Sequence, residues 1–267
     1  MPGKPGKQRQ SIHPCNGRLI MEKAKSMPPS VKTFAVEGVI GAGKTELCTL
    51  LAQRFDARLV LEEAEENPFL SKFYKNRARY AFQTQLWFLV SRYKQFSEAL
   101  FQQDLFHEIT ITDYLFAKDR IFAGVNLDEN EYSLYATVAS ILEKGVPRVD
   151  FVVYLQASTD ALMKRIEKRG RPFEFNMDRH YIDQLNQAYN QFFFHYTASP
   201  LLIINTANID FVNNNDEREE VIDQIVDVKP GANFYQPLGA AEYLKILKKT
   251  KKESPGPGGE TVPAAMD

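Results

Sequence analysis

The chain has 267 residues and a mass of 30.6 kDa, and 44% of its residues are hydrophobic while 25% are charged. This composition is typical of a globular domain with a sizeable core, and it excludes collagen-like and wholly disordered chains. The net charge is −1, but residues 1–32 carry +6 and residues 33–247 carry −8, so the predicted domain lacks the basic face that nucleic-acid binding requires. No apolar run approaches the ~20 residues that span a bilayer, which predicts no membrane partner.

Both ends of the chain have compositions that are typical of disorder. Residues 1–32 are rich in Pro, Gly and Lys, and residues 248–267 repeat this bias, which predicts a disordered basic leader and a disordered tail around one domain at 33–247. Cys15 and Cys48 stand in such different contexts that no disulfide is expected, which favours a reducing, cytoplasmic compartment. A basic start is also a feature of organelle transit peptides, although early prolines and glycines oppose the amphipathic helix of such peptides; this alternative stays open.

Apolar, β-prone runs alternate with helical patterns along the predicted domain. This alternation predicts an α/β fold in which a parallel sheet carries helices on both faces. In chain order, the five predicted strands cover residues 33–37, 58–61, 109–113, 151–156 and 201–205. The predicted helices cover residues 44–55, about 79–105, 129–143, 159–168 and 179–196.

The strongest motif lies between the first predicted strand and the first predicted helix. Its sequence is Gly-Val-Ile-Gly-Ala-Gly-Lys-Thr, which matches the P-loop pattern GxxxxGK[ST]. Glycines let the backbone N–H groups of such a loop curl around phosphates, while the lysine reaches the β- and γ-phosphates and the Thr hydroxyl is a ligand for Mg²⁺. The predicted phosphate-binding residues are Gly38, Gly41, Ala42, Gly43, Lys44 and Thr45.

A carboxylate follows the second predicted strand. Glu62 comes directly after the apolar run Arg-Leu-Val-Leu, so it is expected at the carboxyl edge of the sheet, where open α/β sheets bind their ligands. A carboxylate in this place is suited to accept the proton of an attacking hydroxyl. Glu63, Glu65 and Glu66 follow and are interpreted as part of a solvated loop.

Two residues of the long predicted helix suggest a base-binding face. Gln83 and Trp87 lie four residues apart, so they share a helical face. A buried amide offers a donor and an acceptor to the edge of a nucleobase, and Trp87 or Phe82 would supply an aromatic wall. An ordinary helix with a core aromatic stripe explains the same pattern.

A basic cluster follows the fourth predicted strand and its helix. Arg165 and Arg169 share a helical face and Arg171 follows a glycine, which predicts a flexible lid whose guanidinium groups close over transferring phosphates. Basic residues also accumulate at helix C-termini because they suit the helix dipole. Behind a P-loop, we favour the lid.

The motifs together resemble the deoxynucleoside kinase family, and within it the branch of bacterial deoxyadenosine, deoxyguanosine and deoxycytidine kinases. The similarity runs from about residue 34 to 211 through VEGVIGAGKT, EEAEENPFLSKFY, AFQTQLWFLVSRYKQ, TDYLFAKDRIFA, KRIEKRGRPFE and AYNQFFFHY. No NKxD-like or DxxG motif follows the P-loop, which argues against a GTPase. The resemblance implies a P-loop kinase with an arginine-rich lid, ATP as phosphate donor, Mg²⁺, and a homodimer packed through long helices.

The resemblance also implies roles for individual residues. Glu62 matches the catalytic base that deprotonates the sugar 5′-hydroxyl, and Gln83 matches the base-reading glutamine. Tyr74 and Glu174 match the groups that hold the sugar 3′-hydroxyl. Asp119 matches an aspartate that helps to choose among nucleobases, and the three lid arginines match phosphate-binding arginines.

Two positions depart from the family pattern. Animal members carry Glu-Arg-Ser after the third strand, where this chain has Asp-Tyr-Leu at 113–115; the arginine is missing, while Asp113 keeps a carboxylate for Mg²⁺. The animal enzymes place a base-site arginine seven residues beyond the glutamine. Counted from Gln83 that position is Val90, and Arg92 lies on another helical face, so the base preference is not transferred.

We therefore expect transfer of the γ-phosphoryl group of ATP to the 5′-hydroxyl of a 2′-deoxyribonucleoside, a step of nucleotide salvage. One alternative is a nucleoside monophosphate kinase resembling thymidylate kinase, which would need additional basic groups around its acceptor. Another is an inactive scaffold subunit that keeps the kinase fold. The intact P-loop, Glu62 and lid arginines argue against the scaffold.

Overall fold

Six parallel strands form one sheet in the computed structural model, which describes residues 26–101, 106–175 and 177–237. The spatial order of the strands is β2-β3-β1-β4-β5-β6, and every pair of neighbours is parallel. The strands are β1 (Thr33–Gly38), β2 (Arg58–Val60), β3 (Thr110–Thr112), β4 (Phe151–Gln156), β5 (Leu201–Asn205) and β6 (Ala232–Tyr235).

Eight α-helices connect the strands in the described part of the chain. They are α1 (Lys44–Phe55), α2 (Leu70–Lys75), α3 (Arg77–Phe101), α4 (Lys118–Asn126), α5 (Glu129–Glu143), α6 (Thr159–Arg169), α7 (Arg179–Phe194) and α8 (Asn215–Val226). Short 3₁₀ turns occur at Ala64–Glu66 and Pro172–Glu174. Within the described ranges, every helix is too short or too polar to serve as a membrane span.

The centre of the sheet is buried on both faces, as the sequence predicts. Residues Phe151 to Leu155 of β4 are consecutive, and none of their side chains is more than 1% exposed. Because successive side chains of a strand point to opposite faces, both faces of β4 must be covered. Burial of each Val or Leu side chain contributes about 1.5–3 kcal/mol, so the central strands form a rigid base for the loops at their ends.

The sixth strand, β6, was not predicted. The sequence predicts a sheet of five strands, and the described residues form six. Strand β6 has four residues and alternates between exposed and half-buried positions at the edge of the sheet. A short edge strand buries only part of its surface and so lacks the continuous apolar run of a central strand. Helix α3 begins two residues before the predicted start, and residues 102–105 of the predicted helix lie outside the described residues.

The ordered domain begins before the predicted boundary at Thr33. Met27 and Val31 are buried in the hydrophobic core, and the backbone N–H groups of Lys32 and Thr33 both donate to Asp150 Oδ2 at 2.8 Å. Residues 26–32 are therefore part of the domain and not of a disordered leader. The rest of the predicted leader, residues 1–25, and the predicted tail at 248–267 lie outside the described residues.

Strand order fixes where a ligand binds. From β1, the chain moves to β2 and β3 on one side of the sheet and then to β4 and β5 on the other side. A sheet wound in two directions leaves a crevice at the carboxyl ends of the strands where the direction changes. The ends of β1, β2 and β3 therefore face one crevice, and the residues that follow these strands are the P-loop, Glu62 and Asp113.

Candidate active site

The P-loop joins β1 to α1 by a turn that needs glycine. Gly41 and Gly43 have φ angles of 85° and 95°, a left-handed conformation that L side chains rarely adopt. A Cβ atom at Gly41 would lie 2.9 Å from the carbonyl oxygen of Leu162, so α6 packs directly against the loop. Ala42 is buried, and its N–H group donates to the carbonyl of Val39 at 3.0 Å.

Lys44 curls back over the loop that precedes it. Its ammonium group donates to the carbonyl oxygens of Gly38 at 2.8 Å and Val39 at 3.3 Å. Burial, followed by the positive charge of Lys118, lowers the pKa of Lys44 to about 8. An anion bound in the loop would favour the charged form of this amine, as expected for a lysine that meets phosphates.

Asp113 connects three elements at the edge of the sheet. It follows β3, its Oδ2 accepts a hydrogen bond from the hydroxyl of Thr45 at 2.8 Å, and its Oδ1 accepts one from the backbone N–H of Glu62 at 2.7 Å. The first residues of α1, the end of β2 and the end of β3 are thereby held together. The predicted pair Thr45 and Asp113 is in direct contact.

Glu62 is held between two cations. Its Oε1 accepts from the Nη2 of Arg92, and its Oε2 accepts from the Nζ of Lys118 at 2.5 Å. Burial raises the pKa of Glu62, but the charges of Arg92 and Lys118 and their hydrogen bonds outweigh it, so the net pKa lies well below the ordinary range. Glu62 is therefore ionised at neutral pH, as a general base must be.

Arg92 links Glu62 to Asp119. Its Nη1 donates to Asp119 Oδ1, and its guanidinium carbon lies 4.7 Å from the ring centroid of Phe88. The side chain of Asp119 is 1% exposed. Asp119 Oδ2 and Arg92 Nε are buried and have no hydrogen-bond partner within the described residues.

The structure contradicts the prediction of a buried amide at Gln83. Gln83 is exposed, while Gln85 is 2% exposed and its Oε1 has no hydrogen-bond partner in the described part of the chain. Gln85 and Arg92 are seven residues apart, about two helical turns, so they share a face of α3. Trp87 is half-buried and its ring contacts Phe88 edge to face.

The three lid arginines lie against three different partners. Arg165 donates to the carbonyl of Thr206 at 2.5 Å and to its hydroxyl at 3.0 Å, so it anchors α6 to the segment after β5. Arg169 donates to both carboxylate oxygens of Glu174, at 2.6 and 2.8 Å. Arg171 lies 3.6 Å from the exposed Glu65. Each guanidinium group is thus held by a different partner in the protein, and the role of the three arginines on phosphates stays a prediction.

Tyr74 and Glu174 lie on the side of the crevice next to the lid. The ring of Tyr74 stacks on Phe173 with a centroid distance of 6.1 Å and an interplanar angle of 14°. Burial, then Tyr181 and the negative charges of Glu174 and Glu62, raise the pKa of Tyr74 well above its usual value. The phenol is therefore a neutral donor near two carboxylates, suited to a neutral hydroxyl of a ligand.

Three residues of this site were not predicted from the sequence: Gln85, Arg92 and Lys118. A signal for the first two was present, because the seven-residue spacing from glutamine to arginine that fails from Gln83 is met from Gln85. Lys118 had no such signal. It stands beside Asp119 in a segment that was not predicted as a helix, and the start of α4 at Lys118 places it at the crevice.

A parallel sheet with a P-loop at the end of a central strand and an ionised carboxylate beside it defines a P-loop phosphotransferase. The sequence model of the family described as deoxynucleoside kinase matches residues 34–229. The chain belongs to the deoxynucleoside kinase family, and its class of activity is the ATP-dependent phosphorylation of deoxynucleosides.

Known relatives and solved structures support this membership. Deoxyguanosine kinase of Bacillus subtilis (strain 168) is 39% identical over 156 residues, which cover 58% of this chain and 75% of that protein. Deoxyadenosine/deoxycytidine kinase of the same organism is 30% identical over 214 residues, which cover 75% of this chain and 94% of that protein. A structure of deoxyadenosine kinase from M. mycoides with bound dATP has a TM-score of 0.63 and 26% sequence identity, covering 72% of this chain and 98% of that chain.

Proposed function

We propose that Glu62 is the general base that removes the proton of a deoxynucleoside 5′-hydroxyl while the γ-phosphoryl group of ATP is transferred to it. The observation that carries this proposal is the position of Glu62: it follows β2, its backbone is fixed by Asp113, and Asp113 contacts Thr45 of the P-loop helix. The base and the phosphate-binding loop are thus parts of one hydrogen-bonded unit.

Phosphoryl transfer needs alignment and charge stabilisation more than covalent catalysis. The glycines of the P-loop expose backbone N–H groups to the phosphates, and Lys44 is placed to contact them. As the 5′-oxygen forms its bond to phosphorus, its proton passes to Glu62 and ADP leaves with the electrons of the broken bond. Arg165, Arg169 and Arg171 close over the phosphates in this scheme, which requires Arg169 to leave Glu174.

Thr45 and Asp113 have the donor atoms that Mg²⁺ prefers. A hydroxyl and a carboxylate are hard oxygen ligands, and Mg²⁺ at nucleotide sites is held by one or two such groups together with phosphates and waters. The two side chains are already in contact, at 2.8 Å, so one ion would reach both. When bound, Mg²⁺ would neutralise charge on the transferring phosphates.

The sugar and the base occupy the two sides of Glu62 in this proposal. Tyr74 and Glu174 bind the 3′-hydroxyl, since Glu174 pairs with Arg169 of the lid and the charges of Glu174 and Glu62 both act on the phenol of Tyr74. Gln85, Arg92 and Asp119 bind the nucleobase in this proposal: Arg92 joins Glu62 to Asp119, Gln85 shares its face of α3, and each of the three has a buried polar atom without a partner within the described residues. Trp87 lies four residues from the exposed Gln83 and two residues from Gln85, so it shares the helical face of Gln83 and is not assigned to the base pocket in this proposal.

A matched pair of glutamine variants tests the base site. Gln85→Ala is expected to raise the KM for the preferred deoxynucleoside by about 10–100-fold, because a buried hydrogen bond to the base is lost and its partner is left unpaired. Gln83→Ala is expected to leave the KM within about twofold, since Gln83 is exposed. Steady-state kinetics with each variant give both values. A larger rise in KM for Gln83→Ala than for Gln85→Ala would show that Gln83 binds the base, as the sequence analysis predicts.

A nucleoside monophosphate kinase remains the second candidate on general grounds, but the acceptor side of the site does not favour it. The residues placed at the sugar are Tyr74 and the carboxylate Glu174, which is paired with Arg169. A phosphate group on the acceptor would compete with Glu62 and Glu174 for the cations that already pair with these carboxylates, whereas a neutral sugar hydroxyl donates to a carboxylate. No specific observation favours an inactive scaffold.

The decisive experiment is phosphorylation of the four deoxynucleosides, the ribonucleosides and dTMP in parallel with ATP, with Lys44→Ala as the blank. Conversion of one or more deoxynucleosides that depends on Lys44 is the expected result, and it identifies the preferred base. Conversion of dTMP alone would make the chain a monophosphate kinase. Nucleotide binding without any turnover would support the scaffold.

The homodimer and the cytoplasmic location stay predictions. A dimer is supported by exposed apolar side chains on the long helices: Leu134 and Ile141 lie on one face of α5, and Val90 is exposed on α3. Such side chains, seven residues apart on α5, are suited to pack against a second copy.

A further inference from the structure

Lys118 is a buried cation whose only contact with an acceptor, among the described residues, is the proposed base. Its side chain is 5% exposed, and its Nζ donates to Glu62 Oε2 at 2.5 Å. Arg92 contacts the other carboxylate oxygen of the same residue. Each oxygen of Glu62 thus accepts one hydrogen bond from a cation, and each keeps one lone pair for a further donor. Two positive charges beside the carboxylate weaken its attraction for a proton, so Glu62 becomes a stronger base when one of the two cations moves away.

Arg92 is the cation that stays. A second arm of its guanidinium group is bound to the buried carboxylate of Asp119, and its face packs on the ring of Phe88. A planar group that is fixed at two ends and on one face does not move without breaking all three contacts. The ammonium of Lys118 is a point charge on a flexible stem. Glu62 is its one described hydrogen-bond acceptor, and its Nζ lies 5.6 Å from the ring centroid of Phe122.

Lys118 also lies towards the phosphate-binding loop. The charge of Lys118 is, after burial, the largest influence that lowers the pKa of Lys44, so the two ammonium groups are within Coulombic range. The backbone fixes this position. The Lys118 N–H donates to Leu115 O at 3.0 Å, and the Leu115 N–H donates at 2.6 Å to Glu37, which directly precedes the P-loop. Tyr114 is buried against Phe96 and adds no charge here.

We propose that Lys118 exchanges its ion pair with Glu62 for the transferring phosphoryl group, and this inference rests on the function proposed above. When no deoxynucleoside is bound, the ammonium group of Lys118 donates to Oε2 of Glu62. In the reacting complex it leaves Oε2, which then takes the proton of the 5′-hydroxyl, and it stabilises the negative charge on the phosphoryl oxygens. The bond from the 5′-oxygen to phosphorus forms, the bond to the departing ADP oxygen breaks, and Lys118 keeps all its protons.

A double-variant experiment separates this role from a merely structural one. Lys118→Met is expected to lower kcat by about 100-fold, as does the loss of one charged group that acts in the transition state, with the KM for the deoxynucleoside within about threefold. If Lys118 serves only to hold Glu62, its removal costs nothing further once Glu62 is Gln. If it also acts on the phosphoryl group, Glu62→Gln/Lys118→Met is slower than Glu62→Gln by about tenfold or more.

The matched control is Lys94→Met, because Lys94 lies on α3 and its side chain is 76% exposed. It is expected to match the wild type in kcat and KM. Equal rates of Glu62→Gln and the double variant in single-turnover assays would overturn the inference, as would a fall of less than threefold in Lys118→Met. If Lys118→Met alone does not fold, the double variant still decides, since it removes the ion pair whole and leaves Arg92 paired with Asp119. Absence of turnover in the wild type would instead contradict the proposed function itself.

Discussion

Glu62→Gln is expected to lower kcat by about 100- to 10,000-fold while the affinity for the deoxynucleoside changes little. The amide keeps the shape of the carboxylate but does not accept a proton, and general base catalysis contributes about 10²–10⁴ in rate. The backbone N–H of Glu62 still donates to Asp113, so the link to the P-loop is preserved. Steady-state kinetics give kcat, and isothermal titration calorimetry gives the affinity for the nucleoside.

The control for this variant is Glu63→Gln, one residue further along the chain. Glu63 is exposed, so the same chemical change there is expected to leave kcat within about twofold. Circular dichroism is needed for both variants, because Gln at position 62 removes the carboxylate to which the buried Lys118 donates. A folded Glu62→Gln variant with full turnover would remove Glu62 from the role of base.

The parts of the site at strand ends could be predicted because their position follows from the strand alone. A residue that directly follows a parallel strand lies at the carboxyl edge of the sheet whatever its neighbours are. Asp113 directly follows β3 and Glu62 follows β2 after one further residue, and the two lie together at this edge as expected. The P-loop adds its own pattern of glycines, so its conformation also follows from the sequence.

Residues on helices were harder to predict because a helix can rotate about its axis. Gln83 and Gln85 differ by two positions, which is about 200° of helical rotation, and only the packing of α3 decides which of them is buried. The aromatic residues of this segment lie all around the helix and do not mark one face. The spacing to Arg92 would have selected Gln85, but only with the assumption that Arg92 faces the base.

Charged side chains in the crevice depend on tertiary contacts that the sequence does not contain. The prediction that Arg165, Arg169 and Arg171 converge treats guanidinium groups as free, whereas Arg165 is bound to backbone carbonyls and Arg169 to Glu174. Conversely, the position of Lys118 depends on where α4 begins.

The second large effect is expected for stability, in the variant Arg92→Met. Arg92 is the cation between two buried carboxylates, those of Glu62 and Asp119. Removal of one partner from a buried ion pair leaves an uncompensated charge and costs about 3–5 kcal/mol of unfolding free energy. Glu62 keeps Lys118, whereas Asp119 loses the partner that the structure gives it within the described residues. Arg92→Met/Asp119→Asn is therefore expected to recover a large part of the loss.

Urea unfolding at a fixed protein concentration measures the unfolding free energy of each variant. When the m-value is unchanged, a shift in the urea concentration at half unfolding gives the change in that free energy. The control is Arg54→Met, which breaks the pair between Arg54 and Glu219 on the surface, where the side chains are 39% and 58% exposed. Exposed pairs contribute about 1 kcal/mol or less. The loss of unfolding free energy is therefore expected to be several-fold larger in Arg92→Met than in Arg54→Met. Equal effects of Arg92→Met and Arg54→Met would show that the buried carboxylates do not depend on Arg92. If Arg92→Met/Asp119→Asn is as unstable as Arg92→Met, the stability comes from the packing of Arg92 on Phe88 and not from its charge.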